Sequence, residues 1–455
     1  MNKLLYRARL VRRSLPVTVL AAILCIPLAV SGEESGSEDL PQNAATEYWR
    51  AMVFFDQPTT PEELAVISFI DNDMAPLPPG VLTIRPDVNR WLLEQTPSML
   101  AMARAGEIPL CRFSTRQGRD TEHLIYIKSL TQRALQAAKA YEYVNNKQGA
   151  AMIYVSLFRT AMHLDQDKNM TSVIFAAELV QRVLDALIGF VSREPSLEAA
   201  EVLTRFFAEA PPEILHLNAC LDADAAALAK WLTDEPGLTE QRLATRYGST
   251  VPKPAVERLM TLDPDRKAER LAEWVAGYEA HMRALSEAAT KPYAVGVYTI
   301  QELDAQRNSL KDAPQEDMVN PLVPLLAPTI EKTYERILLA EGHFTLADVL
   351  SATALYRAST KDWPKSLEDL SKFVGRPFGR DPYTGQIIQY ALKRNYPVLA
   401  LRAPRWLAKD PNILYQVNLG TRLNKDQTTV ARMVETFGRE KRREKIKDRQ
   451  QAVER

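Results

Sequence analysis

From Pro86 to about Leu232 one helical pattern follows another with short breaks, and this narrows the possible folds more than anything else in the chain. Thr121–Val144 places Leu124, Ile127, Leu130, Ala134, Leu135, Ala138 and Tyr141 on one stripe at helical spacing. Ala150–Leu164 and Met170–Val191 are apolar on more than one face, which suits helices with neighbours on several sides. Pro195 opens a further helix, and Pro211-Pro212 separates it from the one that ends near Leu232. Connections this short favour antiparallel packing. No repeat period recurs, so an irregular bundle is expected rather than a solenoid.

The N-terminus is of a different kind. Residues 1–31 hold Lys3, Arg7, Arg9, Arg12 and Arg13 and no acid, followed by the apolar run Leu15–Val30. Sixteen residues fall short of the roughly 20 that a helix needs to span a bilayer. With the small-residue end Ala29-Val30-Ser31, residues 1–31 read as a cleavable signal peptide, the alternative being an uncleaved membrane anchor. The chain carries 57 basic and 57 acidic residues, so removing those five bases leaves a net charge near −5. A mildly acidic surface argues against nucleic acid as a partner. Residues 32–42, GEESGSEDLPQ, read as a flexible spacer. Hydrophobic content of 46% allows a core of ordinary size in the remainder.

Structure is expected from Asn43, where Ala45, Tyr48, Trp49, Met52 and Phe55 share helical spacing. Residues 43–340 form the helical domain in this reading. Within it Asp265–Ala289 is a long charged helix, and Lys291–Ile300, with its aromatic and β-branched residues, is expected as a short strand or an extended crossing. Residues 341–405 are a small α+β module. It has an amphipathic helix over Thr345–Ser359, a short helix from Ser366 with Leu367, Leu370 and Phe373 inward, and the turn Asp381-Pro382-Tyr383-Thr384-Gly385. Gly385 there allows a positive φ. The runs Gln386–Leu392 and Pro397–Leu401 then pair as a β-hairpin. Residues 406–455 are a C-terminal extension whose tail, Arg439–Arg455, holds eight bases and four acids.

The order helix, Trp363-Pro364-Lys365-Ser366-Leu367, Asp381-Pro382-Tyr383-Thr384-Gly385, hairpin resembles the soluble part of type II secretion pseudopilins. Those proteins begin with a cleavage site followed by a long membrane helix. Here the echo of that site, Gly342-His343-Phe344-Thr345-Leu346, lies mid-chain before a polar amphipathic helix, so assembly into a pilus is not implied. A wider resemblance joins the signal peptide, Asn43-Ala44-Ala45 with Tyr48 and Trp49, Cys111-Arg112-Phe113 and the Asp-Pro-x-Thr-Gly end. These are similar to a family of uncharacterised exported bacterial proteins, and the resemblance implies an architecture, not an activity.

Catalytic residues are not identified. The five histidines (His123, His163, His216, His281, His343) show no pair at metal-ligand spacing, and no phosphate loop, dinucleotide fingerprint or nucleophile elbow occurs. His216 and Cys220 lie one helical turn apart, but two ligands do not make a zinc site. His163, Asp165 and Asp167 read as a helix C-terminal cap, Glu273, Glu279 and His281 as a solvated face, and Asp381 as a turn cap rather than a calcium ligand. Asp71-Asn72-Asp73 lacks the rest of a calcium loop. Each of the six tryptophans reads as core, and Cys111 and Cys220 as buried thiols or a single bridge.

The expected protein is mainly α, an irregular helical bundle with a small C-terminal α+β module. It has no cofactor and no metal, is exported to the periplasm or beyond, and binds or scaffolds an envelope partner. Weak membrane contact is confined to the N-terminus or basic tail. The alternatives are a hydrolase with its site in a helical cleft and an accessory of a secretion or pseudopilus-like assembly. N-terminal sequencing of the exported protein should begin near Gly32; an intact Met1 would overturn cleavage.

Overall fold

The computed structural model describes residues 42–54, 60–73, 85–113, 121–192, 196–234, 257–259, 261–312, 320–393, 396–402 and 413–419. The expected signal peptide, most of the spacer and the basic tail lie outside the described residues. Among those described, no helix is long and apolar enough to cross a membrane.

Helices α1 (Ala44–Phe54), α2 (Pro61–Ser68), α3 (Pro86–Glu107), α4 (Glu122–Tyr143), α5 (Lys147–Asp165), α6 (Met170–Ser192) and α7 (Leu197–Glu209) make the first part of an α-helical bundle. Their starts follow local chemistry. Thr60 and Glu63 form a reciprocal capping box around Pro61. The Asn146 and Ser196 side chains accept hydrogen bonds from the amides of Gly149 and Ala199. Helices α8 (Leu217–Asp234), α9 (Pro264–Ala289), α10 (Tyr293–Asp312) and the short α11 (Leu322–Leu326) pack on one another as a second group. The last long helix, α12 (Glu331–Thr360), packs on α6 and α7 and also touches α10 and the sheet.

Helix α12 differs from its expected form in two ways. It begins at Glu331 and passes through Gly342 without a break, ending where Lys361 takes a left-handed conformation at φ 67°. Every residue from Ala340 to Ala354 is buried, so this stretch is not amphipathic. The aromatic contacts explain part of the burial: Phe344 meets Phe158 of α5 and Phe206 and Phe207 of α7 at centroid distances of 5.5, 6.2 and 5.0 Å. Gly342 is the approach point of the sheet, since a Cβ there would lie 2.6 Å from Leu401 Cδ1.

The expected strand or crossing at Lys291–Ile300 is the first half of α10. Tyr293, Val297 and Ile300 sit at helical spacing and are buried, so packing overrides the β preference of the segment. Trp49 departs from its expected core position: it is 40% exposed, whereas Trp91 and Trp274 are buried. Phe373 is likewise 41% exposed, although its ring still meets Tyr356.

Beyond α12 come the short helix α13 (Leu367–Val374) and the hairpin β1 (Gln389–Lys393) and β2 (Tyr396–Arg402), paired antiparallel in the register Gln389 to Ala400. A third strand, β3 (Ile413–Asn418), pairs antiparallel with β2 and was not anticipated. The turn before β1 has the expected chemistry. Asp381 Oδ1 accepts the Tyr383 amide at 2.8 Å, its Oδ2 accepts the Arg402 amide at 2.6 Å, and Gly385 has φ 67°. The module is pinned to α12 by Arg376 Nη1 donating to Asp348 Oδ2 at 2.8 Å and by the Tyr383 hydroxyl donating to the Glu335 carbonyl at 2.9 Å.

Two glycines test this packing. A Cβ at Gly296 would fall 2.4 Å from the Ala288 carbonyl oxygen and 2.5 Å from the Tyr334 hydroxyl. Gly296→Ala should therefore cost about 1–3 kcal/mol in denaturant melts; an unchanged midpoint would mean that α9, α10 and α12 do not meet this closely. Gly385→Val should cost about 1–2 kcal/mol or more through its positive φ, and unchanged melting would exclude that turn.

Candidate functional site

The C-terminal end of α5 gathers polar side chains from several elements. His163, on its last turn, has Nδ1 2.9 Å from the Tyr48 hydroxyl of α1, and that hydroxyl donates to Thr160 Oγ1 at 3.1 Å. Asp165 reaches the connection between α7 and α8: its Oδ1 accepts the His216 amide at 2.6 Å and its Oδ2 lies 2.6 Å from His216 Nδ1. Just beyond α5, Asp167 Oδ2 lies 2.8 Å from His123 Nε2 of α4 and accepts the Ser172 hydroxyl of α6 at 2.9 Å. From α12, Glu341 Oε1 accepts the amides of Ile214 and Leu215 at 2.9 and 2.6 Å. Three successive amides leading into α8 are thus received by two carboxylates, which satisfies donors that helix entry leaves without partners.

Around this network the segments flanking Asn43 and Cys111 meet. Asn43 Oδ1 accepts the Arg112 amide at 2.9 Å, and the Ala44 amide donates to the Leu110 carbonyl at 2.8 Å. Phe113 stacks on His123 at 4.6 Å, while the Cys111 amide donates to Gln166 Oε1 at 2.8 Å. The two motifs at Asn43 and Cys111, 68 residues apart in sequence, therefore form one wall of the cluster.

Burial governs the electrostatics. It holds His163 neutral, with its pKa lowered to about 4. A neutral His163 adds no positive charge to the helix end where a C-terminal cap was expected, and the Asp165 and Asp167 side chains lie against His216 and His123. Burial also pushes the Glu341 carboxyl up to about 8, against the pull of the two amides it accepts. Unlike His163, His216 has a raised pKa, because of its hydrogen bond to Asp165, and its side chain is 45% exposed. Cys111 and Cys220 are both buried free thiols, and burial drives each pKa upward, so neither is a reactive thiolate.

The remaining sequence candidates are scattered. His343 is buried on α12, its pKa lowered by burial to about 3, and His281 sits on α9, lowered by burial and by Arg307. Glu273 pairs with Arg270 at 2.8 Å on an exposed face, and Asp71 accepts from Gln136 Nε2 at 2.8 Å. Among the described residues, no group of three or more His, Cys, Asp or Glu side chains is placed to hold a metal ion. The structure thus joins His123, His163 and His216, and adds Glu341, which sequence reasoning passed over. A carboxylate in the middle of an apolar helix was the available signal, but its amide partners lie about 126 residues away.

Chemically, the His216–Asp165 pair is an oriented imidazole with one edge toward solvent, an arrangement suited to proton transfer. The other members tie helices together. The chain matches no known protein family, no curated protein and no solved structure.

His163 makes a pH prediction. Its unfolded pKa is near 6.5 and its folded pKa about 4, so between these values the unfolded chain binds more protons and stability falls as pH falls. His163→Gln should remove about 3 kcal/mol of acid sensitivity across that window. Equal slopes of melting temperature against pH in both proteins would refute the buried neutral imidazole.

Proposed function

We propose that this chain is an exported, non-enzymatic protein of the cell envelope that binds or scaffolds a protein partner through its helical surface. The observation that carries this reading is the use made of the buried carboxylates. Asp165, Asp167 and Glu341 are engaged by backbone amides, histidines and a serine hydroxyl, which suits a structural tie. The apolar residues left outside support binding: Trp49 meets Tyr126 edge to face at 5.9 Å, both at least 40% exposed, with Val53 one turn along α1. Export rests on the basic N-terminus and its apolar run. The likeness of the C-terminal module to pseudopilins belongs to the same reading and adds no activity.

In-cell crosslinking tests the surface. The wild-type protein should form a defined adduct with an envelope protein, and Val53→Asp with Tyr126→Glu should abolish it while melting stays unchanged. Persistence of the adduct in the double variant, or no adduct from the wild type, would overturn the reading. Adducts confined to secretion components would favour the accessory role instead.

One observation supports an enzymatic reading, a hydrolase using the exposed His216 held by Asp165 as its base. Turnover of esters or peptides that disappears in His216→Ala at unchanged stability would establish it; identical background rates in both proteins would exclude it.

A further inference from the structure

The connection between α7 and α8 is seated on the bundle by groups that exchange protons. Ile214 and Leu215 are buried, their amides end on one oxygen of Glu341, and the next amide and ring belong to Asp165. The seat therefore joins α5 and α12 to the start of the second helical group. We propose that it is a pH-responsive latch: protons on Glu341 and His216 hold residues 214–216 closed against α5 and α12, and loss of both protons to solvent loosens them.

The direction follows from what faces each group. Glu341 meets Glu213, whose charge opposes its ionisation, and His216, whose charge favours it. His216 is held by its hydrogen bond to Asp165, which favours its proton, as does the charge of Glu213; Glu341 adds to this only when ionised. Toward α8, Cys220 is a buried neutral thiol that faces Asp165, Asp167 and Asp224, with Lys168 opposing them. Arg159 on α5 acts on His163. His343, two residues along α12, is held neutral by burial.

For Glu341, whose ordinary value is 4.5 and folded value about 8, the closed seat holds a proton that the open chain lacks throughout that interval. Closure therefore weakens as pH rises toward 8. His216 has a raised folded value, so its pairing with Asp165 is complete below the unfolded value and is lost as pH rises through the folded one. The two act in the same direction. The opposing effect of His163 is confined to pH below about 6.5, which leaves 6.5 to 8 as a clean window.

Hydrogen exchange of the full-length protein across that window reads the latch, with rates corrected for the intrinsic pH dependence of amide exchange. Protection at residues 214–216 should fall by up to about tenfold per pH unit for each proton released, and so by up to about a hundredfold where Glu341 and His216 titrate together, while α5 and α6 hold steady. Glu341→Gln keeps an acceptor oxygen and removes the titration of that side chain, so its share of the slope should vanish and at most the single-proton slope of His216 should remain. Glu213→Gln, an exposed change, should bring the fall to an end at lower pH. Constant protection in the wild type, or an undiminished slope in Glu341→Gln, would overturn the latch. Should Glu341→Gln fail to fold, an unmoved profile in Glu213→Gln would overturn it equally.

Discussion

Burial of α12 on all sides from Ala340 to Ala354 is the constraint on which the rest of the structure depends. A helix without a solvent face needs a partner for every polar side chain it carries, because an unpaired polar group in the interior costs about 1–3 kcal/mol. The hydroxyls of Thr345, Ser351 and Thr353 are satisfied within the helix, donating to the carbonyls four residues back at 3.0, 2.7 and 2.7 Å. Carboxyl side chains cannot be satisfied that way. Asp348 reaches out to Arg376 and Glu341 to the amides of Ile214 and Leu215. Each of these two carboxylates thereby fixes a remote part of the chain, the C-terminal module in one case and the entry to α8 in the other.

The polar cluster and the module are thus consequences of one buried helix. Phe158, Phe206, Phe207 and Phe344 supply apolar packing on one side, and Gly342 admits Leu401 of β2 on another. The helix leading into the sheet is also the bundle's central element. That continuity gives the small sheet a rigid base, since three strands alone bury little.

Much of the bundle was legible because helical periodicity is a local property. The stripe from Leu124 to Tyr141 is buried as its spacing implies, with Leu135 partly buried at its edge, and the turn at Asp381 to Gly385 follows from proline, aspartate and glycine chemistry within five residues. The failures have a common cause. Lys291–Ile300 carries β-type residues, yet the partners of Tyr293 include Tyr334 and Tyr383, 41 and 90 residues away. The candidate site was read only in pieces: His163, Asp165, Asp167 and His216 were noticed, but as a cap and a doubtful ligand pair. Nothing local assigns Asp165 to His216, or Glu341 to Ile214 and Leu215.

By itself the sequence determined the helical class, the hairpin and its turn, and the absence of any recognised catalytic motif, because these rest on spacing and backbone preference over a few residues. Only the tertiary structure decided that α12 is enclosed, that β2 takes a third strand, and that two carboxylates from different helices receive three successive amides. Those outcomes depend on which distant groups are brought within hydrogen-bonding reach, and burying a polar group in a dry interior without such a partner is costly.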